Sequence, residues 1–114
     1  MTLPHIVTNQ VLVITIPEDK LDASNAQGTK TKMTELFASY QLPRVVLNLE
    51  RLSFIDSVGL GVLISLVKSV REKGGDLKLA SMTKSVRSIF ELVRLHKLFE
   101  SYPSDKDAVQ AFKT

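Results

Sequence analysis

Residues 54–61, FIDSVGLG, decide how this chain is organised. They follow the apolar run VVLNL at 45–49 and lead into a second apolar run, VLISLV, at 62–67. A short, nearly continuous apolar run is typical of a central strand covered on both faces. Leu60, Leu63 and Val67 then repeat at helical spacing. The stretch therefore predicts a buried strand, a sharp turn and a helix that begins near Ser57.

The rest of the chain alternates between strand-like and helix-like segments. Asp22 or Ser24 is expected to cap the first helix, and the paired glycines at 74–75 to stop the second. The pattern predicts strands at 5–7, 11–16, 45–49, 76–80 and 98–102 and helices from the cap to 40, at 57–73, 85–96 and 105–112. The order β-β-α-β-α-β-α-β-α predicts an α/β fold with a mixed, mostly parallel sheet of about four to five strands and four helices.

Length and composition limit the classes of function. The 114 residues are enough for one domain, taken as 1–114, with 44% apolar residues to form its core. The net charge is +3, but the basic residues are scattered among acidic ones, which argues against a nucleic-acid partner. There is no cysteine, and no apolar segment is long enough to span a membrane. No metal or cofactor is predicted.

The turn itself carries one hydroxyl, Ser57, beside one carboxylate, Asp56. Either residue could cap the helix, because a side-chain oxygen there accepts a free backbone N–H. A cap does not explain Gly59 and Gly61, since glycine destabilises the first turns of a helix. The two glycines predict a close approach by another backbone, either within the protein or from a partner.

Two catalytic interpretations of the turn are weak. A serine hydrolase elbow needs Gly-x-Ser-x-Gly, but Ile55 stands at the first glycine position. The chain has two histidines, His5 near one terminus and His96 at a predicted helix end, and neither is a convincing general base. A dinucleotide loop needs a third glycine where Ile64 stands.

A phosphoacceptor serine fits the turn better. Ser57 is expected at a helix N-terminus, where a phosphate would meet free N–H groups and the positive end of the helix dipole. The phosphate would add about −1.5 to −2 charges next to Asp56. That charge would disrupt a complex that docks on the surface around it.

The chain resembles the STAS domain of bacterial anti-sigma factor antagonists over nearly its whole length. The likeness rests on the strand at 45–49, the Asp-Ser-x-Gly-Leu-Gly element at 56–61, the Gly-Gly-x-Leu element at 74–77 and the Leu-Asp pair at 21–22. The resemblance implies an antagonist that binds an anti-sigma factor, itself a GHKL-type serine kinase, and so frees a sigma factor. The kinase ends the interaction by phosphorylating the serine matched by Ser57, and a PP2C-type phosphatase restores it.

By the same resemblance, the partner-binding residues are expected to be Asp22, Asp56, Ser57, Val58, Gly59, Leu60 and Gly61. The antagonist would be a cytoplasmic signal-transduction protein and not an enzyme, with no cofactor of its own, because ATP and metal belong to the kinase. The alternative within the same family is a STAS adaptor or scaffold in a partner-switching pathway that controls secretion, biofilm formation or a signalling enzyme.

Overall fold

The computed structural model describes residues 3–41 and 44–112. Its strands and helices follow one another in the order β1 (His5–Thr8), β2 (Val11–Thr15), β3 (Lys20–Leu21), α1 (Ala26–Tyr40), β4 (Arg44–Asn48), β5 (Phe54–Ile55), α2 (Ser57–Glu72), β6 (Asp76–Ala80), α3 (Lys84–Leu92), β7 (Ser101–Tyr102) and α4 (Asp105–Ala111). A short 3-10 turn, Leu95–Lys97, follows α3.

Five of the strands form one mixed sheet in the order β1-β2-β4-β6-β7. Only β1 runs antiparallel to its neighbour, across the two-residue turn Asn9-Gln10, whose residues both have positive φ. The apolar run at 45–49 puts β4 at the centre, paired in parallel with β2 and β6. The predicted α/β fold, with a mixed, mostly parallel sheet of about four to five strands and four helices, is therefore confirmed.

Side chains that alternate along each strand divide the core between the two faces of the sheet. Leu12, Ile14 and Leu47 belong to the larger cluster, which also holds the buried residues of α1, α2 and α3. Val11, Val13 and Val46 belong to a smaller cluster with Ala108 and Val109 of α4. Thus α4 packs on the face opposite the other three helices.

A second, two-stranded sheet was not predicted. β3 and β5 pair in parallel, with Lys20 opposite Phe54 and Leu21 opposite Ile55. Leu21 and Ile55 are buried, whereas each strand has only two residues, too few for a recognisable period. This small sheet matters because it brings the loop after β3 next to the turn between β5 and α2.

Three predicted boundaries are wrong. Neither Asp22 nor Ser24 caps α1, because they form their own turn, and Asn25 precedes the helix without a side-chain cap bond. The third helix ends at Leu92 and not at 96, and Val93, just beyond its end, is 48% exposed. The last strand is confined to Ser101–Tyr102.

Candidate functional site

Asp56, and not Ser57, caps α2. Its backbone is extended, and its Oδ1 accepts a hydrogen bond from the Gly59 N–H at 2.9 Å. Its Oδ2 accepts a second bond, at 3.1 Å, from the Ala23 N–H in the loop after β3. One carboxylate therefore stabilises the helix start and holds two loops together that are 33 residues apart in the chain.

This arrangement leaves the Ser57 hydroxyl unused. Ser57 is the first residue of α2 and is exposed, and its hydroxyl forms no hydrogen bond within residues 3–41 and 44–112. Asp56 does not orient that hydroxyl, since its bonds go to backbone N–H groups. The free hydroxyl stands at the positive end of the 16-residue helix α2, a favourable place for an anionic group.

Gly59 is required by an internal contact. A Cβ atom at this position would lie 2.3 Å from the Leu21 carbonyl oxygen and 2.8 Å from the Ile55 side chain. The close approach is thus made by the chain's own β3, the first of the two alternatives that the glycines predicted. Gly61, in contrast, is exposed and has open space around it.

Leu60 also points inward. It is 8% exposed and belongs to the larger core cluster, so its side chain supports the helix rather than a partner surface. Among the seven residues expected to bind a partner, Asp22, Asp56, Ser57, Val58 and Gly61 remain partly or fully accessible. The structure brings Asp22 and Asp56 together through the Ala23 bond.

Asp22 carries its negative charge in a compact turn beside this site. Its Oδ1 accepts hydrogen bonds from the Ser24 hydroxyl, at 2.5 Å, and from the Ser24 N–H, at 2.9 Å. These bonds lower the pKa of Asp22 below its ordinary value, with a smaller contribution from Lys20 at 3.8 Å. The turn therefore presents a carboxylate that stays ionised at neutral pH.

Sequence reasoning missed Phe54. It precedes the buried Ile55, and its ring is 49% exposed, while Val58 just after Ser57 is 46% exposed. The alternation of β5 turns Phe54 outward, but a strand of two residues gives too little pattern to predict this. Together the two side chains place apolar surface on both sides of Ser57 along the chain.

Chemical alternatives gain no support from the geometry. The His5 ring bonds to the Leu3 carbonyl at 2.7 Å and to the Tyr40 hydroxyl at 3.0 Å, so it is committed elsewhere. Within residues 3–41 and 44–112 there is no group of three or more His, Cys, Asp or Glu that could hold a metal. In those same ranges no helix has the length and hydropathy needed to cross a bilayer.

Comparisons with known proteins agree with this architecture. Residues 4–108 match the model of the STAS domain family. An anti-sigma F factor antagonist of Paenibacillus polymyxa is 27% identical over 99 residues, which cover 87% of this chain and 84% of that protein.

Two solved structures share the fold. An anti-sigma factor antagonist from Mycobacterium paratuberculosis superposes with a TM-score of 0.85 at 23% identity, covering 99% of this chain and 94% of that one. The Bacillus cell fate determinant SpoIIAA in its phosphorylated form superposes with a TM-score of 0.69 at 20% identity, covering 97% and 99%. At these identities the likeness establishes the fold alone.

Proposed function

We propose, because this chain belongs to the STAS domain family, that it is an anti-sigma factor antagonist controlled by phosphorylation of Ser57. The unphosphorylated protein binds an anti-sigma factor that is a GHKL-type serine kinase. Phosphorylation by that kinase ends the binding, and a PP2C-type phosphatase restores it. The proposed exchange uses ATP, so we assign it to the cytoplasm, with the kinase and not this chain as the catalyst.

One observation carries the proposal: Asp56 caps α2 and leaves the neighbouring hydroxyl free. A kinase substrate must present its hydroxyl to the kinase, and Ser57 is exposed without an internal hydrogen-bond partner within residues 3–41 and 44–112. Val58 has no hydroxyl, so Ser57 is the single acceptor in the Asp-Ser-x-Gly element.

The surface around Ser57 suits a partner that leaves when phosphate arrives. Phe54 and Val58 supply exposed apolar contact, and Asp22 and Asp56 supply carboxylates nearby. A phosphate adds negative charge beside the Asp56 carboxylate and must be desolvated if a partner remains bound to it. Like charges brought together at an interface cost several kcal/mol, and each 1.4 kcal/mol weakens a complex about tenfold.

Phosphate transfer tests the site of modification. The chain is incubated with radiolabelled ATP and an extract of its native cells, and the modified residue is identified by mass spectrometry. We expect label on Ser57 and none on a Ser57→Ala variant. Ser53→Ala is the matched control, because Ser53 is also exposed but its hydroxyl donates to the Asp19 carbonyl at 2.9 Å. Label that survives Ser57→Ala contradicts the proposal.

Calorimetry tests the switch with the kinase, which is captured from the same extract on the immobilised, unphosphorylated chain. Ser57→Ala should bind with or without ATP, whereas Ser57→Asp should bind at least about tenfold more weakly. Equal affinities for the two variants would count against a charge-operated switch. If the captured kinase binds no sigma factor, the adaptor alternative with another output replaces the sigma-factor output, while the role of Ser57 stands.

A further inference from the structure

The outer strand β1 is unusually apolar for an exposed sheet edge. Ile6 is 61% exposed and Val7 is 46% exposed, and β1 contains no Lys, Arg, Asp, Glu or Pro. Edge strands of monomeric proteins commonly carry charges, prolines or bulges that prevent pairing with another chain. β1 is short, with four residues, and Pro4 precedes it, but within the strand there is no charge or proline that would keep a second strand away.

The hydrogen-bond pattern fixes which backbone groups point outward. Thr8 and Val11 close the two-residue turn, and the Pro4 carbonyl accepts from the Thr15 N–H at 2.9 Å. Hydrogen-bonded and non-bonded pairs alternate along an antiparallel ladder, so Ile6 also bonds inward to Val13. The N–H and C=O groups of His5 and Val7 then face the free edge.

Both faces of this edge offer apolar contact. Ile6 lies on the α4 side, where it borders a groove of about 280 Å³ that Val13 and Val109 also line. Val7 lies on the other side, next along that face to His5, whose ring packs edge-on against the 42% exposed Tyr40. An added strand would be covered on two sides and not on one alone.

From these observations we infer that β1 pairs with β1 of a second copy of this chain, antiparallel and about a twofold axis at Ile6. In this register His5 of each copy faces Val7 of the other, so all four outward N–H groups and all four carbonyls are used. Other twofold registers leave one of the two residues without its partner inside the strand. Ile6 meets Ile6 of the second copy, and two five-stranded sheets become one of ten strands.

A second copy also suits the charges beside the strand. The groove next to Ile6 is bordered by one carboxylate, Asp105, and one ammonium group, Lys106. Because the two charges have opposite signs, the edge meets its own copy without a net repulsion. The surface differs from the Ser57 surface, since the two share no residue.

A charge placed on the edge tests the interface. By analytical ultracentrifugation of the full chain we expect a concentration-dependent dimer, and Ile6→Lys should raise its dissociation constant at least about tenfold. Leu92→Lys is the matched control, because Leu92 is also apolar and is 84% exposed on α3, away from the edge. A wild-type chain that stays monomeric to millimolar concentration, or a dimer that both variants weaken equally, overturns the inference. Circular dichroism checks that both variants fold.

Single cysteines test the register, because the chain has no cysteine of its own. Ile6→Cys would bring two Cα atoms to about 4.5 Å in a non-bonded pair, which a disulfide can bridge. Thr8→Cys lies on the same strand and face, but its two copies would be about 14 Å apart, four residues out of register. We expect oxidation to cross-link the first variant and not the second. Equal cross-linking of both, or of neither, overturns the proposed pairing.

Discussion

Two regions of this protein that carry charged side chains differ in how far their polar groups are bonded within the chain. The Asp56–Ser57 turn uses its carboxylate for backbone N–H groups and leaves a hydroxyl exposed. The Lys78 cluster, made of Arg71, Asp76, Lys78 and Glu100, pairs each of its charges inside the chain. The contrast separates polar groups that stabilise this fold from an exposed hydroxyl that forms no hydrogen bond within residues 3–41 and 44–112.

The Lys78 cluster shows how completely a buried charge can be satisfied. Lys78 is 6% exposed, its Nζ contacts Glu100 and lies 3.6 Å from Asp76, and the ring of Phe112 lies 4.8 Å from the same atom. Burial alone would lower the pKa of Lys78, but the hydrogen bond and charge of Glu100 together with Tyr102 and Asp76 outweigh burial and raise it. A lysine with these partners is a structural element and offers little to a ligand.

The largest effect should come from Gly59→Ala at the turn. The added Cβ would overlap the Leu21 carbonyl oxygen, which belongs to the backbone and cannot rotate away. We expect a loss of about 2–4 kcal/mol in the free energy of unfolding, measured by urea denaturation. Gly61→Ala is the control: it has open space and should gain about 0.5–1 kcal/mol from better helix propensity. Equal effects at the two positions would show that the close approach of β3 is not what requires Gly59.

Truncating one residue in each region should separate stability from binding. Asp56→Ala removes two hydrogen bonds to backbone groups, and Lys78→Ala removes a buried stem and its ion pairs. Each should cost about 1–2 kcal/mol of unfolding free energy. In calorimetry with the captured kinase, only Asp56→Ala should lose affinity, about tenfold, because it releases the Ala23 loop. An equal loss of affinity for Lys78→Ala would contradict the claim that only the Asp56–Ser57 turn contributes to binding.

The smallest expected effect is a change in how the free energy of unfolding decreases at acidic pH. Burial tends to raise the pKa of Asp76, but the Arg71 hydrogen bond, the Leu77 N–H and the nearby charges outweigh it and lower the pKa. The contribution of Asp76 is therefore present above its unfolded value of about 3.9 and is lost as the pH falls through the lower folded value. Asp76→Asn should reduce the pH dependence of the free energy of unfolding below about pH 4, by at most about 1 kcal/mol. Urea denaturation at a series of pH values measures this change. If Asp76→Asn leaves the pH dependence of the free energy of unfolding unchanged, Asp76 does not contribute to the stability provided by the Lys78 cluster.

Much of this fold follows from local patterns in the chain. Local patterns predicted the central strand, the helix that begins at Ser57 and the end of that helix at the glycine pair. The spacing of apolar residues indicates the strand and the helix, and Gly74, with φ of 84°, ends the helix. The burial of Lys78 could not be predicted, since an alternating strand predicts an exposed lysine at that position. It is buried because α4, which lies far along the chain, covers that face of the sheet.

The candidate site also depends on contacts between residues far apart in the chain, which local patterns do not predict. Asp56 and Ser57 are both good capping residues, and the folded backbone decides between them, since Asp56 is extended and accepts from the Gly59 N–H. The sequence predicted Ser57 as the phosphoacceptor through its context and a family resemblance. It could not reveal that Gly59 faces Leu21 or that Phe54 is exposed, because both depend on two strands of two residues each.

The bond between Asp56 and the Ala23 N–H has a consequence for recognition. The surface around Ser57 is a discontinuous epitope, assembled from a segment near residue 22 and another near residue 57. A linear peptide that spans the serine would carry the Asp-Ser-x-Gly letters without the second segment. Under the proposed function, the kinase recognises the folded surface, and an unfolded chain does not present it.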